Sequence, residues 1–154
     1  MAKTAGFCFG VKRAVDLSKD AAEKFDNVYC VLGIHPEYAE TYSSEVLGKI
    51  SNLIENEPKA VGIGETGLDY YYDDVPREAQ RTAFEKQAAL ADELKMPIIV
   101  HDREAHRDTL DILRQFPNIR AVYHCFSGSV EYAREIAKLG FYLSFGGAVT
   151  FKNA

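Results

Sequence analysis

The sequence predicts an α/β fold, an incomplete (β/α)8 TIM barrel with about five parallel strands and intervening helices. Three observations predict it. Strand-like apolar runs alternate with helical segments at intervals of roughly 25 to 40 residues, the order of repeated βαβ units and hence of parallel pairing. The runs are almost continuously apolar, so both faces of the sheet are covered. Four runs also end on polar side chains: Val31–Ile34 on His35, Val61–Gly64 on Glu65, Pro97–Val100 on His101, and Ala121–Tyr123 on His124. An open doubly wound sheet would carry a glycine-rich phosphate loop opening a helix, whereas Gly62 and Gly64 lie inside a strand pattern. Polar residues collected at the carboxyl ends of several strands belong instead to the mouth of a barrel.

The elements follow in order. Val11, Ala14, Val15, Ala22 and Phe25 share one face of a helix that Asp26-Asn27 breaks. Val28–Ile34 reads as a buried strand, ended by His35-Pro36 because Pro36 bars further ladder pairing. Val46, Leu47, Ile50, Leu53 and Ile54 make the apolar stripe of a helix from about Ser44, stopped by Asn56 and Pro58. The strand through Val61 and Ile63 is expected to stop at Glu65. Asp73, Asp74 and Pro76 then signal a helix start, and Phe84, Ala88, Ala91 and Leu94 form its inner face. Ile98–Val100 is the third strand, and a helix over about Glu104 to Gln115 turns Leu110 and Leu113 inward. Arg120–His124 is the fourth strand, Ser127-Gly128-Ser129 caps a helix closed by Gly140, and Phe141–Phe145 is the fifth strand.

Composition narrows the function classes. A chain of 154 residues with 47% hydrophobic and 27% charged residues suits one soluble domain. No run is long enough to span a bilayer and no signal-peptide pattern is present, so a cytoplasmic location is expected. Three widely spaced cysteines, Cys8, Cys30 and Cys125, argue against a disulfide framework. A net charge of −5 gives no overall attraction for nucleic acid, so action on a polyanion needs a metal or well-placed arginines.

Imidazoles and a carboxylate entering one mouth make a divalent-metal site, with Glu65, His101 and His124 as its candidate ligands. A lone histidine at a strand end is commonly a hydrogen-bonding residue; three with a glutamate at the same end are harder to explain that way. His35 is the weaker member, since Pro36 beside it also fixes a turn. Asp69 either orients a ligand histidine or caps the turn after Gly67. Arg103 is placed to meet a phosphate bidentately, Tyr70, Tyr71 and Tyr72 either stack bases or pack a loop, and His106 is a solvated helix residue.

GIHP at 33–36, GIGETGLDYYYD at 62–73, QAALADELKMPIIVHDREAHRDTLDIL at 87–113, HCFSGS at 124–129 and GFYLSFGGAVTFKNA at 140–154 together resemble the TatD-type metal-dependent deoxyribonucleases, a group of amidohydrolase-like (β/α)8 barrels. The resemblance spans residues 18–154 and implies phosphodiester hydrolysis, stepwise from a DNA end, on single-stranded DNA or DNA ends. It implies Mg²⁺ as cofactor, with Mn²⁺ or Zn²⁺ as alternatives. It implies Glu65, His101 and His124 as metal ligands, with Glu65 bridging two ions; Glu65 and Asp69 are the expected catalytic residues, and His35, Arg103 and Ser127 the expected substrate contacts.

Two departures bear on activity. The family's opening strand carries an HxH motif, absent here, and its closing strand carries an aspartate in a Thr-Asp-Ala-Pro context, which this chain does not reach. Weak or absent nuclease activity and self-association through open sheet edges are therefore expected. The alternatives are a catalytically inactive metal-binding or self-associating fragment, and a related hydrolase of small esters or amides. Residues 2–17, AKTAGFCFGVKRAVDL, resemble instead the amino terminus of LytB-type hydroxymethylbutenyl diphosphate reductases, whose matching cysteine, here Cys8, binds an iron–sulfur cluster. The expected division is a foreign N-terminal segment, 1–17, and a partial barrel domain, 18–154. No iron–sulfur cluster is expected, because Cys30 and Cys125 sit outside that family's other motifs.

Overall fold

A computed structural model describes residues 20–152. Cys8 and the segment compared with the reductases lie outside them. Five parallel strands form one sheet in sequence order: β1 (Cys30–Leu32), β2 (Ala60–Asp69), β3 (Pro97–Arg103), β4 (Arg120–Tyr123) and β5 (Tyr142–Leu143). Helices α1 (Ser44–Asn56), α2 (Arg77–Leu94), α3 (His106–Leu113) and α4 (Val130–Lys138) fill the crossovers, and a 3-10 turn, Pro36–Thr41, follows β1. This is an arc of a (β/α) barrel, with β1 and β5 as its two edges among the described residues.

Local chemistry explains the helix ends. Ser43 caps α1, its hydroxyl accepting from the Val46 N–H, and Ser129 caps α4 in the same way through the Tyr132 N–H. Lys95 takes a left-handed conformation at φ 55° to end α2. Between sheet and helices lie Ile63, Leu68, Phe84, Ile98, Val100, Ile112, Leu113 and Ile136, all nearly or wholly buried. On the other face Val31 and Val61 are 37% and 40% exposed, as expected of residues whose opposite barrel wall is not among the described strands.

One expectation needs correction. β2 does not stop at Glu65; it runs four residues further, to Asp69. Ile63 pairs with Ile98 and Thr66 with Val100, so β2 carries one more residue than β3 over that interval, and pairing resumes through Asp69 with Arg103. A bulge absorbs the extra residue and re-aims the side chain at its apex. Gly64, at φ 144°, lies within it and permits it. The strand therefore bends around Glu65 where the sequence predicts an end. The outer strands are shorter than predicted, and α3 begins at His106, after Glu104 takes φ 55°.

Candidate metal centre

Four segments deliver the site. His35 follows β1 and caps the 3-10 turn, its Nδ1 accepting from the Glu37 N–H at 3.3 Å. Glu65 sits in the β2 bulge, and Asp69 ends the same strand. His101 and Arg103 lie on β3. His124 follows β4, its backbone N–H donating to the Val100 carbonyl at 2.8 Å. A cleft of about 550 Å³ opens over these residues and is also lined by Glu37, Asp102, Cys125 and Ser127.

His101 is the centre of the arrangement. Its Nδ1 lies 3.0 Å from Glu65 Oε1, and its Nε2 lies 2.9 Å from Asp69 Oδ2. The His35 ring meets it edge-on, with centroids 4.6 Å apart. Burial lowers the His101 pKa, but hydrogen bonds to Glu65 and Asp69 outweigh it, and the net shift is upward. The same bond from His101 holds the Glu65 carboxyl below its ordinary range against the effect of burial. His35 is shifted down, by burial first and then by the neighbouring His101.

This donor set fits a divalent cation. A neutral imidazole carries one N–H; placed on Asp69, it turns the Nδ1 lone pair toward the Glu65 carboxylate, a contact that needs a proton or a cation between. His35, Glu65 and His101 each offer a ligand atom, all within 4.8 Å of one another. Asp69 on the far ring nitrogen would fix the tautomer, as carboxylates do behind metal-bound histidines. It also accepts from the Tyr71 N–H at 3.0 Å just past the end of β2; the turn expected after Gly67 is absent, since Gly67 pairs with His101 inside the strand.

The predicted residues are thus partly regrouped. His35, expected as a substrate contact, stands in the donor cluster. His124 lines the same cleft outside that cluster, exposed, with Nε2 3.3 Å from Cys125 Sγ. Arg103 stacks over Tyr71 at 3.8 Å and lies 5.2 Å from the Tyr72 ring centre, presenting a cation at the cleft wall. Tyr70 is used differently: its hydroxyl donates to Asp108 at 2.7 Å and Arg77 covers its ring. His106 is not simply solvated; its Nδ1 is 3.0 Å from Asp102 and its ring stacks on Tyr132. Cys125 is a cleft residue that the sequence alone does not single out, although its place beside His124 in HCFSGS is the available signal.

The shifts set a pH dependence. His101 has a raised folded pKa, so its contribution to stability is complete below about 6.5, the unfolded value, and is lost as pH rises through the folded one. Glu65 has a lowered folded pKa, so its contribution is present above the unfolded carboxyl value and lost as pH falls through the folded one. Metal-free protein should therefore melt at lower temperature as pH climbs past the His101 value. With Mn²⁺ in the place of the proton the alkaline trend should reverse, since binding then releases the proton. Melting curves from about pH 5 to pH 9, with chelator and with Mn²⁺, check both signs.

Comparison with known proteins agrees with the fold and the motifs. A family profile described as "TatD related DNase" matches residues 4–154. An uncharacterized metal-dependent hydrolase of Bacillus subtilis, YabD, is 46% identical over 134 residues, covering 86% of this chain and 52% of YabD. YcfH of Escherichia coli, named in the same terms, is 37% identical over 159 aligned positions, covering 99% of this chain and 58% of YcfH. The crystal structure of the TatD homologue YjjV from E. coli superposes with a TM-score of 0.82 at 31% identity, over 92% of this chain and 56% of YjjV. The chain spans about half the length of these relatives, and the family profile matches nearly all of its own length: it belongs to the TatD family.

Proposed function

We propose that the chain carries the metal-binding half-site of a divalent-metal-dependent hydrolase that cleaves phosphodiester bonds of DNA, stepwise from an end. The observation that carries this reading is His101 held between the carboxylates of Glu65 and Asp69, with His35 against its ring. Glu65, His101 and His35 would hold the ion, with His124 at the same mouth as a further donor. Mg²⁺ is the ion the family resemblance implies, and the imidazole donors also admit Mn²⁺ or Zn²⁺. When bound, such an ion lowers the pKa of its water toward neutrality and draws charge from a phosphoryl oxygen.

The chain's own residues supply the rest. Asp69 keeps the His101 proton on Nε2, leaving Nδ1 free to donate its lone pair. Glu65 supplies a carboxylate, its pKa lowered in the metal-free site by the bond to His101. Arg103, braced on Tyr71, offers a guanidinium to a phosphate at the cleft wall, and Ser127 offers a hydroxyl there. Tyr71 and Tyr72, 56% and 48% exposed, present ring faces on which a base of a single strand can stack.

The test is incubation of the purified chain with Mn²⁺ or Mg²⁺ and end-labelled single-stranded DNA, beside a small ester and a small amide. The expected result is nucleotide release from one end that stops on addition of EDTA. Cleavage of the ester or amide with the DNA left intact would contradict the phosphodiester reading.

A further inference from the structure

Two glutamines on one face of α2 are almost completely buried: Gln80 is 2% exposed and Gln87 0%. Buried amides persist where their hydrogen bonds are satisfied, so their partners show their use. Gln87 Oε1 accepts from the Ile34 N–H at 2.6 Å, and its Nε2 donates to the Ile34 carbonyl at 3.1 Å and to Thr66 Oγ1 at 2.7 Å. A further contact at 3.1 Å runs to the Ala83 carbonyl within the helix. Gln80 treats Asp69 in the same way, accepting from its N–H at 2.8 Å and donating to its carbonyl at 2.9 Å.

The position of Gln87 gives these bonds their meaning. The β1–β2 ladder ends at the Leu32–Ile63 pair, and the β2–β3 ladder is interrupted between Ile63 and Thr66. Ile34 and Thr66 therefore lie at the break, where neither ladder sets their relative position. Gln87 spans it with one side chain. Ile34 immediately precedes His35, and Thr66 immediately follows Glu65. The packing leaves no other tolerance: a Cβ on Gly33 would lie 2.9 Å from Gly64 Cα and 3.0 Å from Gln87 Oε1.

We propose that Gln87 is a positioning residue that sets the spacing of His35 from Glu65 in the candidate metal centre by clamping Ile34 and Thr66 across the gap in the ladder. The proposal rests on the metal-centre reading. Gln80 acts likewise on Asp69 and through it on the far nitrogen of His101. Two turns of one helix thereby hold the end of β1 and two points of β2 in register.

The test compares wild type with Gln87→Met, which keeps the length and removes the amide, and with Thr66→Val, which removes one partner and leaves the Ile34 clamp intact. Co²⁺ is titrated into each protein, at a temperature where all are folded, and its visible bands give affinity and ligand geometry. Gln87→Met should bind Co²⁺ about tenfold or more weakly, with altered bands, and Thr66→Val a smaller factor more weakly. The imidazole C–H signals of His35, displaced by the edge-on His101 ring, are followed by NMR without metal. They should relax toward those of an isolated ring in Gln87→Met and move in the same direction in Thr66→Val. A purely structural glutamine would lower the melting temperature while leaving Co²⁺ affinity and the His35 signals as in wild type, and that result overturns the proposal. Failure of wild type to bind Co²⁺ would count against the metal centre alone, and the His35 signals would still decide the clamp. Should Gln87→Met not fold, Thr66→Val decides, and wild-type affinity and signals in it overturn the proposal.

Discussion

Gly67→Ala should leave little folded protein. Gly67 has φ 146° and is the register partner of His101, and a Cβ there would lie 2.0 Å from the His101 carbonyl oxygen. That obstacle is backbone, so no rotamer change relieves it. The β2–β3 pair would have to separate between Glu65 and Asp69 on one side and at His101 on the other. Lost ladder bonds and a side chain forced into a glycine conformation together cost more than about 4 kcal/mol, set against a whole-domain stability of about 5 to 15 kcal/mol. Gly48→Ala is the contrasting change. Gly48 lies inside α1, and a Cβ there would meet no atom within 4 Å, so alanine should stabilise by about 0.5 to 1 kcal/mol. Urea unfolding of wild type and the two variants should give opposite signs for the two alanines.

Glu65→Gln should weaken ion binding strongly while sparing the fold. The amide oxygen can still accept from His101 Nδ1–H across the present 3.0 Å, so the metal-free protein should lose only about 1 kcal/mol. A divalent ion instead loses the carboxylate of its three-donor set and a full unit of charge. Affinity should fall about a hundredfold or more, roughly 3 kcal/mol at 1.4 kcal/mol per tenfold change. Isothermal titration with Mn²⁺, paired with melting of the chelated proteins, separates the two effects. Equal Mn²⁺ affinity in wild type and variant would remove Glu65 from the site.

Much of this was legible because burial leaves a periodic trace. The stripe of Val46, Leu47, Ile50 and Ile54 predicts α1 closely, and alternation of apolar runs with helices predicts five parallel strands in order. The bulge at Glu65 was not legible. A glutamate after an apolar run reads as a strand end, and only the register against β3 shows the strand bending around it. His35 and His124 both follow apolar runs, and only three-dimensional distance shows His35 beside Glu65 and His124 beside Cys125. Gln80 and Gln87 share the buried stripe with Phe84 and Ala91. Their polarity marks them, yet their partners are backbone groups of distant segments, which no spacing along the chain reveals. His106 looked solvated because helical position alone does not show Asp102 and Tyr132 closing over it.

His35, Glu65 and His101 are proposed to hold one divalent ion together. Anomalous diffraction at the manganese edge from crystals grown with Mn²⁺ tests it most directly. The expected result is a peak bonded to His35, Glu65 and His101, with Asp69 still hydrogen-bonded to the far nitrogen of His101. A peak on His124 and Cys125 alone, with Glu65 remaining against His101 Nδ1, would contradict it.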